Sequence, residues 1–532
     1  MTHCLQCQQQ FPITAEDEKF YEKMNVPPPT LCPPCRQQRR LAFRSEVSFF
    51  HTVCAKSGKK VLSMYDPAAG YTIYDQDEWW KDNWDPLSYG REVDFSRPFF
   101  QQLDELRRVV PRMSLNSISN ENSYYSNYSF RNKNSYLVST ADYNEDSLYG
   151  RFSDRNYRCV DFDFTFDSRF CFQVINIHKS ERCFFSSMLD SCSEQFFCYD
   201  MRNCHNCIFS TGQRNQSYLI YNKKVTPDEY KAFLEQLNLK TREGVAHAWE
   251  IAKTVWEKQP RKYLTVTNCE NSVGDYLKNT KNAQYCFDSY NLQDVKYSSH
   301  LNDANDIYDW DFIGSHSELC YEMVSSADDI INCRFSMNMW QGNVNCTYSD
   351  LCLGNENLFG CIGLRKKKYC ILNMQYTKEE YEHLVPQIIE HMRRMGEFGE
   401  FLPVQMSPFA YNDSVAYEYF PLTKEETLVR GWKWRDEEPR LFEPVNDAIS
   451  CATCKKNFKL VESEMKFYQD MGVPHPIHCW LCRHRERRAL KNPRRIYRRP
   501  CTKCGDQMFS TYAPERPEPV YCEKCYLQEV AG

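Results

Sequence analysis

Cysteine pairs two residues apart are the side chains of this sequence best suited to chemistry. One tight turn aims two thiolates at a common centre, and a second pair completes the tetrahedron that zinc prefers. Because each set supplies four thiolates, no position remains for a reacting water, and we expect structural rather than catalytic zinc. Three sets have this spacing: Cys4, Cys7, Cys32 and Cys35; Cys451, Cys454, Cys479 and Cys482; and Cys501, Cys504, Cys522 and Cys525.

Disulfides are the alternative use of these cysteines, and they require an oxidising compartment. The chain begins Met1-Thr2-His3-Cys4, with no basic segment, apolar stretch or cleavage site before the first cysteine. No export signal is therefore visible, and the sequence favours zinc over disulfides.

The two ends of the chain are copies of each other. Residues 4–78 align without gaps with residues 451–525, and Phe20-Tyr21 recurs as Phe467-Tyr468. Each copy divides into two modules, and each module is expected to fold as a zinc ribbon or treble clef. Modules 1 and 2 cover residues 1–48 and 49–92, and modules 3 and 4 cover residues 446–492 and 493–532.

Module 2 has lost most of its ligands. Cys54 is kept, whereas Ser57, Asp75 and Glu78 occupy the other three ligand positions. Zinc sites of this kind favour sulfur and nitrogen, so we expect module 2 to fold without metal. Three tryptophans follow within six residues of Glu78 and could supply apolar burial in place of the metal. A mixed Cys54/Asp75/Glu78 metal site is the alternative.

The middle of the chain is a repeat. Between Asn116 and Asn222, short apolar clusters recur every 10 to 13 residues, separated by turns rich in Asn, Ser and Asp. Short strands at such even spacing predict a β-solenoid, with two repeats of about 12 residues forming one coil of about 24. A second array from Thr267 to Asn373 duplicates the first.

Helices are expected to cover the end of each array. Thr226-x-x-Glu229 and Thr377-x-x-Glu380 are capping boxes. They predict helices over Pro227–Leu237 and Lys378–Met395, and a further helix is predicted over Ala246–Lys258. A helix laid over the last strand protects its open edge.

Fifteen of the 28 cysteines lie in the arrays, often at the repeating apolar positions. Cysteine packs as a small hydrophobe, so we interpret them as a buried stack. The alternative is a row of thiolates for iron–sulfur clusters, for which Cys198, Cys204 and Cys207 form the one tight group.

Acidic residues alternate with phenylalanines at Asp161-Phe162-Asp163-Phe164. This pattern predicts a strand with the phenylalanines inward and solvated carboxylates outward, and Asp309 and Asp311 repeat it in the second array. Paired carboxylates could instead bind calcium or act as acid and base on sugars.

Positive charge is concentrated between Cys482 and Cys501. Such a segment could contact the phosphates of nucleic acid, with Trp480 and Tyr497 stacking on bases, or could pair with acidic protein surfaces, including the chain's own arrays. Its basic residues are Arg483, Arg485, Arg487, Arg488, Lys491, Arg494, Arg495, Arg498 and Arg499. The N-terminal copy keeps only part of this charge.

Composition and net charge limit the possible fold and partner classes. The 532 residues are 42% hydrophobic and 15% aromatic, which is ample for several cores. The formal net charge is −5, and twelve thiolates with three Zn²⁺ bring it to about −11, so the charge of the whole protein does not favour nucleic acid. No apolar stretch approaches the roughly 20 residues of a membrane helix.

The pattern Cys-x-x-Cys, then Phe-Tyr-x-Lys-Met-x-Val-Pro-Pro-Pro-x-x-Cys-Pro-x-Cys-Arg-x-x-Arg-Arg-Leu-Ala, within residues 4–42, resembles a family of uncharacterised zinc-ribbon proteins of uncultured small-genome bacteria. Trp84-Asp85-Pro86-Leu87 and Tyr419-Phe420-Pro421-Leu422-Thr423 extend the resemblance over nearly the whole chain. It implies a cytoplasmic bacterial zinc protein and carries no activity over to this chain.

We therefore expect a mainly β protein with some α, in which two tandem β-solenoid arrays with capping helices are flanked by paired zinc-ribbon modules. The predicted function is a non-enzymatic zinc-binding scaffold whose ribbons contact a protein partner. The alternatives are a nucleic-acid-binding protein that uses modules 3 and 4 and a carbohydrate-active solenoid enzyme. The remaining boundaries are a linker helix at 93–112, the first array at 113–225, a helical connector at 226–262, the second array at 263–376, and a helix with an extended linker at 377–445.

Overall fold

The computed structural model describes residues 2–325, 328–436 and 448–530, and part of the predicted linker, residues 437–445, lies outside them. The described residues are mainly β with some α. The chain divides into two compact units. Unit 1 joins residues 1–115 to 264–436, and unit 2 joins residues 116–263 to 437–532. Modules 1 and 2 therefore share a unit with the second array, and modules 3 and 4 share a unit with the first.

The α-helices of the described residues are α1 (Ala15–Lys23), α2 (Pro33–Leu41), α3 (Gln76–Trp80), α4 (Phe99–Val109), α5 (Pro227–Gln236), α6 (Arg242–Lys258), α7 (Lys378–Arg394), α8 (Val415–Tyr419), α9 (Lys424–Val429), α10 (Glu462–Met471), α11 (Trp480–Arg488) and α12 (Glu523–Val530). Across these ranges, every helix is too short or too polar to span a membrane.

The strands before and within the first array are β1 (Thr2–His3), β2 (Gln10–Phe11), β3 (Phe50–Val53), β4 (Lys60–Ser63), β5 (Ile73–Tyr74), β6 (Arg112–Met113), β7 (Ser117–Ile118), β8 (Asn127–Phe130), β9 (Ser139–Asp142), β10 (Leu148–Asp154), β11 (Val160–Phe166), β12 (Phe172–His178), β13 (Glu181–Phe184), β14 (Ser187–Asp190), β15 (Ser193–Phe196), β16 (Tyr199–Arg202), β17 (His205–Ile208), β18 (Ser217–Ile220) and β19 (Lys223–Lys224). Those that follow are β20 (Arg261–Lys262), β21 (Val266–Glu270), β22 (Val273–Lys281), β23 (Gln284–Lys296), β24 (Ser299–Val324), β25 (Arg334–Met337), β26 (Val344–Thr347), β27 (Glu356–Phe359), β28 (Lys368–Ile371), β29 (Met374–Gln375), β30 (Ile449–Ser450), β31 (Asn457–Phe458), β32 (Tyr497–Pro500), β33 (Gln507–Ser510) and β34 (Val520–Tyr521).

The first array consists of parallel strands, β7 to β18, whose pairing repeats every twelve residues. Leu148 lies opposite Val160, and Val160 lies opposite Phe172. Further along, Cys207 lies opposite Leu219. The expected coil of about 24 residues is therefore wrong, because the chain returns beside itself after half that length.

A left-handed residue at every third position accompanies this short return. From Ser119 to Tyr221, every third residue has a positive φ. Among residues other than glycine, Asn and Asp adopt this conformation at least cost, which explains why the turns are rich in them. Aromatic residues also occupy it: Phe185, Phe197 and Phe209 stack in succession, with ring centroids 4.7 and 5.5 Å apart. Their packing offsets the backbone strain.

The backbone of residues 161–164 has a three-residue period and not the predicted alternation of inward and outward side chains. Phe162 and Thr165, three residues apart, are fully buried. Asp161 and Asp163 are also fully buried, so the expectation of solvated carboxylates is wrong. A period of two fails here because every third residue turns the backbone, and because another element of unit 2 covers the aspartates.

The cysteines of the first array are buried, as the stack predicts. Every third residue from Cys159 to Ser210 is buried. The Cys198 thiol lies 3.4 and 3.3 Å from the carbonyl oxygens two residues before and nine residues after it. The Ser186 hydroxyl contacts the corresponding carbonyls at 2.9 and 3.4 Å. Within the described residues, no array cysteine belongs to a group of three or more ligand atoms that lie within 4.8 Å of one another.

The second array is less regular than the first. Val266 pairs with Leu277, eleven residues on, whereas Tyr321 pairs with Arg334, thirteen residues on. The repeat length of the second array therefore varies by one residue to either side of twelve.

Each array ends in a short antiparallel pair followed by a helix. Strands β18 and β19 precede α5, and β28 and β29 precede α7. Both predicted capping boxes are confirmed, with Thr226 and Thr377 as N-caps. Helix α6 begins at Arg242, earlier than predicted, because the Thr241 side chain caps it.

Candidate metal centres and their arginine clusters

Each module begins with a two-stranded hairpin, and a later helix, which is the second helix in modules 1 and 3, carries the second pair of ligand positions at its N-terminal end. In module 1, Cys4 and Cys7 lie between β1 and β2, and Cys32 is the N-cap of α2. In module 3, Cys479 is likewise the N-cap of α11. A helix N-terminus presents N–H groups and a partial positive charge, which stabilise thiolates.

The structure brings each predicted cysteine set together. The four Sγ atoms of each set lie within 4.8 Å of one another. Four sulfurs bound to one zinc at about 2.3 Å would lie about 3.8 Å apart, so the donor sets fit a zinc-sized ion. The Sγ–Sγ distance is 3.7 Å for Cys7 and Cys32, 3.7 Å for Cys454 and Cys479, and 3.8 Å for Cys504 and Cys522.

Backbone N–H groups also point at the sulfurs. The Cys479 N–H donates to the Cys451 Sγ at 3.3 Å, and the Cys522 N–H donates to the Cys501 Sγ at 3.2 Å. Such donors favour the charged thiolate over the thiol. The described residues, which include all 28 cysteines, contain no disulfide. The three sets are therefore compatible with metal ions such as zinc.

The residues at the ligand positions of module 2 make other contacts. The Cys54 Sγ still accepts hydrogen bonds from the Ser57 and Asp75 N–H groups, at 3.4 and 3.2 Å. The Asp75 carboxylate, however, caps α3, and Glu78 pairs with Lys81 at 2.7 Å. Within the described ranges these positions do not form a metal-ligand group, so the mixed site is not assembled.

Module 2 packs against the second array through apolar residues. Trp79 is fully buried against Met113 and Leu351. The Arg365 guanidinium lies 4.1 Å from the centre of the Trp79 ring and 5.1 Å from that of Trp80. Tryptophan faces attract such a cation, so module 2 is held to the second array by packing and cation–π contacts.

An arginine cluster, the unit 1 cluster, joins module 1 to the second array. Helix α2 places Arg36, Arg39 and Arg40 on one face, because residues three and four apart are neighbours on a helix. Each lies within 4 Å of a carboxylate, and all three arginines are buried. The pairs are Arg36 with Asp309 at 2.8 Å, Arg40 with Asp309 at 3.0 Å and Asp311 at 2.9 Å, and Arg39 with Glu322 at 2.8 Å and Glu400 at 2.6 Å.

An equivalent cluster, the unit 2 cluster, joins module 3 to the first array. Helix α11 supplies Arg483, His484 and Arg487, which occupy the positions of Arg36, Gln37 and Arg40 in the duplication. The pairs are Arg483 with Asp161 at 2.7 Å and Glu464 at 3.1 Å, Arg487 with Asp161 at 2.9 Å and Asp163 at 2.8 Å, and His484 with Asp163 at 3.0 Å.

The His484 ring lies between two charged groups. Its Nδ1 is 3.0 Å from Asp163 and its Nε2 is 2.7 Å from an Arg151 nitrogen. Arginine can only donate, so Nε2 accepts and Nδ1 carries the proton that Asp163 accepts. A neutral imidazole satisfies both contacts.

Burial and ion pairing oppose each other in these clusters. Burial alone would raise the pKa of Asp163, but the hydrogen bond with His484 and the charge of Arg487 hold that pKa well below its usual range. In unit 1, Arg39 similarly holds the pKa of Glu400 down against burial. Burial prevails at Glu322, whose pKa is raised although Arg39 and Arg40 oppose the shift.

The basic residues of the segment between Cys482 and Cys501 differ in their exposure. Arg483 and Arg487 are buried in the unit 2 cluster, and Arg499 is buried with its guanidinium on the Ala513 carbonyl at 3.0 Å. Arg488, Lys491 and Arg494 are half-buried, and Arg485, Arg495 and Arg498 are exposed. Of the two stacking candidates, Trp480 packs against the core of unit 2. The segment therefore pairs largely with the chain's own array.

The carboxylates proposed for sugar chemistry are the acidic half of these clusters. Asp161, Asp163, Asp309 and Asp311 are all fully buried against arginines, and so they have no surface for a sugar ring. The sequence analysis missed the acidic partners Glu322, Glu400 and Glu464. The retention of arginines after the fourth cysteine in both copies was the available signal, since buried arginine demands a carboxylate.

No family model matches this chain, and no curated protein matches it. Among solved structures, a crystal structure described as a "putative acetyltransferase" from Desulfovibrio desulfuricans G20 is 12% identical, over 50% of this chain and 69% of that chain, with a TM-score of 0.12. A TM-score this low carries no argument about fold or function.

Proposed function

We propose that this chain is a non-enzymatic zinc-binding scaffold in which zinc ribbons clamp two β-solenoid arrays. The twelve-residue parallel pairing supports the solenoid arrangement. Zinc is favoured over other metals because all-sulfur tetrahedral sets without an open position suit structural zinc. The resemblance to zinc-ribbon proteins of small-genome bacteria is in keeping with this proposal, as is a reducing, cytoplasmic location for a chain with 28 free thiols.

The observation that carries the proposal is the repeated arginine cluster. Helices α2 and α11 each carry metal ligands at their N-terminus and, from the residue after the last cysteine onward, arginines that pair with buried carboxylates of an array. A ribbon built to bind an outside partner through its basic face would leave that face exposed. Here the arginines of the basic face pair with carboxylates of the same unit, so the first role of the ribbons is to hold the arrays.

A protein partner would then meet the surfaces that the clamps leave open. Nucleic-acid binding through modules 3 and 4 is a weaker proposal, because only Arg485, Arg495 and Arg498 of its nine basic residues are exposed. Such binding would show a shallow dependence on salt, since the slope scales with the number of phosphates neutralised.

Metal content tests the proposal directly. Purified full-length protein, dialysed under reducing conditions, should hold three zinc ions per chain by elemental analysis and by native mass spectrometry. Replacing Cys7, Cys454 or Cys504 with serine one at a time should each lower the count by one, because three thiolates and a hydroxyl bind zinc less tightly. Replacing Cys54 is the matched control and should leave the count at three. A wild-type protein without zinc, or one with iron in its place, would overturn the proposal.

A further inference from the structure

The residue that follows the fourth ligand position points into an array in every module. This is a property of the shared module fold, because the four residues occupy equivalent places in the duplication. They differ in chemistry, since three are polar and one is apolar. Arg36 pairs with Asp309, Arg483 pairs with Asp161, the Tyr526 hydroxyl donates to Asp200, and Trp79 packs on Leu351.

The same helix carries both the ligands and the docking side chains. In α2, Cys35 is followed directly by Arg36, and in α11, Cys482 is followed directly by Arg483. Movement of the helix N-terminus would therefore move the ligand and the arginine together. The position of the metal and the position of the guanidinium are mechanically linked by one peptide bond.

Polar docking of this kind depends on exact placement more than apolar docking does. A buried ion pair stabilises a protein only when its geometry is good and its remaining donors are satisfied, and a displaced partner leaves an uncompensated charge. Asp309 and Asp161 have no exposed surface, so water cannot replace a displaced guanidinium without opening the interface. The Trp79 indole N–H donates to the Pro111 carbonyl at 2.9 Å, which lies outside the array, and against the array itself the ring makes apolar and cation–π contacts. Such contacts tolerate small displacements better than a buried ion pair does, because they need no matched donor and acceptor.

The loss of ligands parallels the difference between polar and apolar docking contacts. Modules 1, 3 and 4 dock through Arg36, Arg483 and Tyr526, and each keeps four cysteines. Module 2 docks through Trp79 and has lost three of its four. The full set of four cysteines is kept where the residue after the fourth ligand position makes a polar contact with the array, and it is not kept where that contact is apolar.

We propose that each metal centre orients its helix so that the following polar side chain reaches the buried carboxylate of the array, and that loss of the metal releases the helix from the array. This proposal rests on zinc being the resident metal. The metal centres of modules 1, 3 and 4 are then latches, and metal supply controls whether the acidic surfaces of the arrays are covered. Release in unit 1 would expose Asp309, Asp311 and Glu322 to a basic partner.

Hydrogen exchange on the full-length protein tests the latch. Zinc is withdrawn with EDTA under reducing conditions, the zinc released is counted, and peptides covering residues 307–313 and 160–166 are followed. Neither peptide contains a ligand. We expect their exchange to accelerate by about tenfold or more, as for local opening, and to slow again when zinc is returned. Peptides covering β27 and β28, which lie away from the unit 1 cluster, should keep their rates.

A second measurement uses thermodynamic linkage. If zinc strengthens docking of the helix by a given factor, docking must strengthen zinc binding by the same factor. Arg483→Gln should weaken zinc retention by module 3 in a chelator competition by about tenfold, whereas the exposed residue Arg485→Gln on the same helix should not change it.

The outcomes separate the two proposals. Absence of zinc from the purified protein would overturn the proposed function. Release of three zinc ions without faster exchange in the two peptides would overturn the latch alone, as would exchange that rises equally in β27 and β28. Equal zinc retention by Arg483→Gln and the wild type would also overturn the latch, and this result does not depend on the exchange data.

Discussion

At the residue scale, the ion pairs of α2 and α11 explain why the chain keeps buried arginines. Arg40 bridges Asp309 and Asp311, and Arg487 bridges Asp161 and Asp163 in the same way. Each guanidinium offers donors in a fixed fork that matches two carboxylates on one strand. Lysine in these positions would offer a point charge that matches neither.

Asparagine at Asp163 tests the electrostatics of the unit 2 cluster. We expect Asp163→Asn to lower the free energy of unfolding by about 3–5 kcal/mol, because Arg487 would be left without one of its two carboxylates. His484 and Arg487 hold the pKa of Asp163 below its usual value of about 3.9, so its contribution is present above that pH and is lost only as the pH falls through the lower folded-state pKa. In urea unfolding, the difference between wild type and variant should therefore stay constant from about pH 7 to about pH 4. A difference that shrinks between about pH 7 and pH 5 would show instead a carboxyl whose pKa is raised by burial.

At the element scale, several interior positions of the first array carry short side chains that donate hydrogen bonds. Cys198 lies between Ser186 and Ser210, twelve residues to either side, and all three donate to the carbonyl two residues earlier. The cysteines thus share the role of serine as well as the packing of a small hydrophobe. The distinction matters because a purely apolar core would prefer alanine or valine at these positions.

Substitutions at Cys198 separate the two roles. Cys198→Ser keeps a donor of similar size, and we expect it to change the free energy of unfolding by less than about 1 kcal/mol. Cys198→Ala removes the donor and leaves a cavity, and we expect it to cost about 1–3 kcal/mol. Chemical denaturation of both variants measures the difference. Greater stability of the alanine variant would show that the interior is simply apolar.

At the scale of the whole molecule, one charge distinguishes the two clusters. Arg39 of module 1 pairs with Glu322 of the second array and is buried. The equivalent position of module 3 is Glu486, which pairs with His478 at 2.8 Å and is largely exposed. Cys171-Phe172-Gln173 of the first array corresponds to Cys320-Tyr321-Glu322 of the second, so Gln173 stands in the place of Glu322. Module 3 on the second array would therefore bring Glu486 against Glu322, which would disfavour that pairing.

Charge reversal at Arg39 and Glu486 tests whether this position decides which array each module joins. Arg39→Glu would place a third carboxylate beside Glu322 and Glu400, and we expect it to destabilise unit 1 by about 3 kcal/mol or more. Glu486→Arg changes an exposed ion pair and should cost less than about 1 kcal/mol. Denaturant unfolding followed by hydrogen exchange would assign each loss to its unit. Similar losses in the two variants would mean that this position does not decide which array each module joins.

Features that depend on local spacing could be predicted from the sequence. The cysteine sets follow from pairs within tight turns, the capping boxes at Thr226 and Thr377 from residues one helical turn apart, and the loss of ligands at Ser57, Asp75 and Glu78 from comparison of the two copies. Only the tertiary structure decided which distant segments meet. It placed module 1 on the second array and module 3 on the first, and it buried Asp161 and Asp163 under arginines more than 300 residues away. The physical reason is that a carboxylate on a strand has the same sequence pattern whether it faces water or a guanidinium, and the three-residue backbone period arises from left-handed conformations that residue types favour but do not dictate.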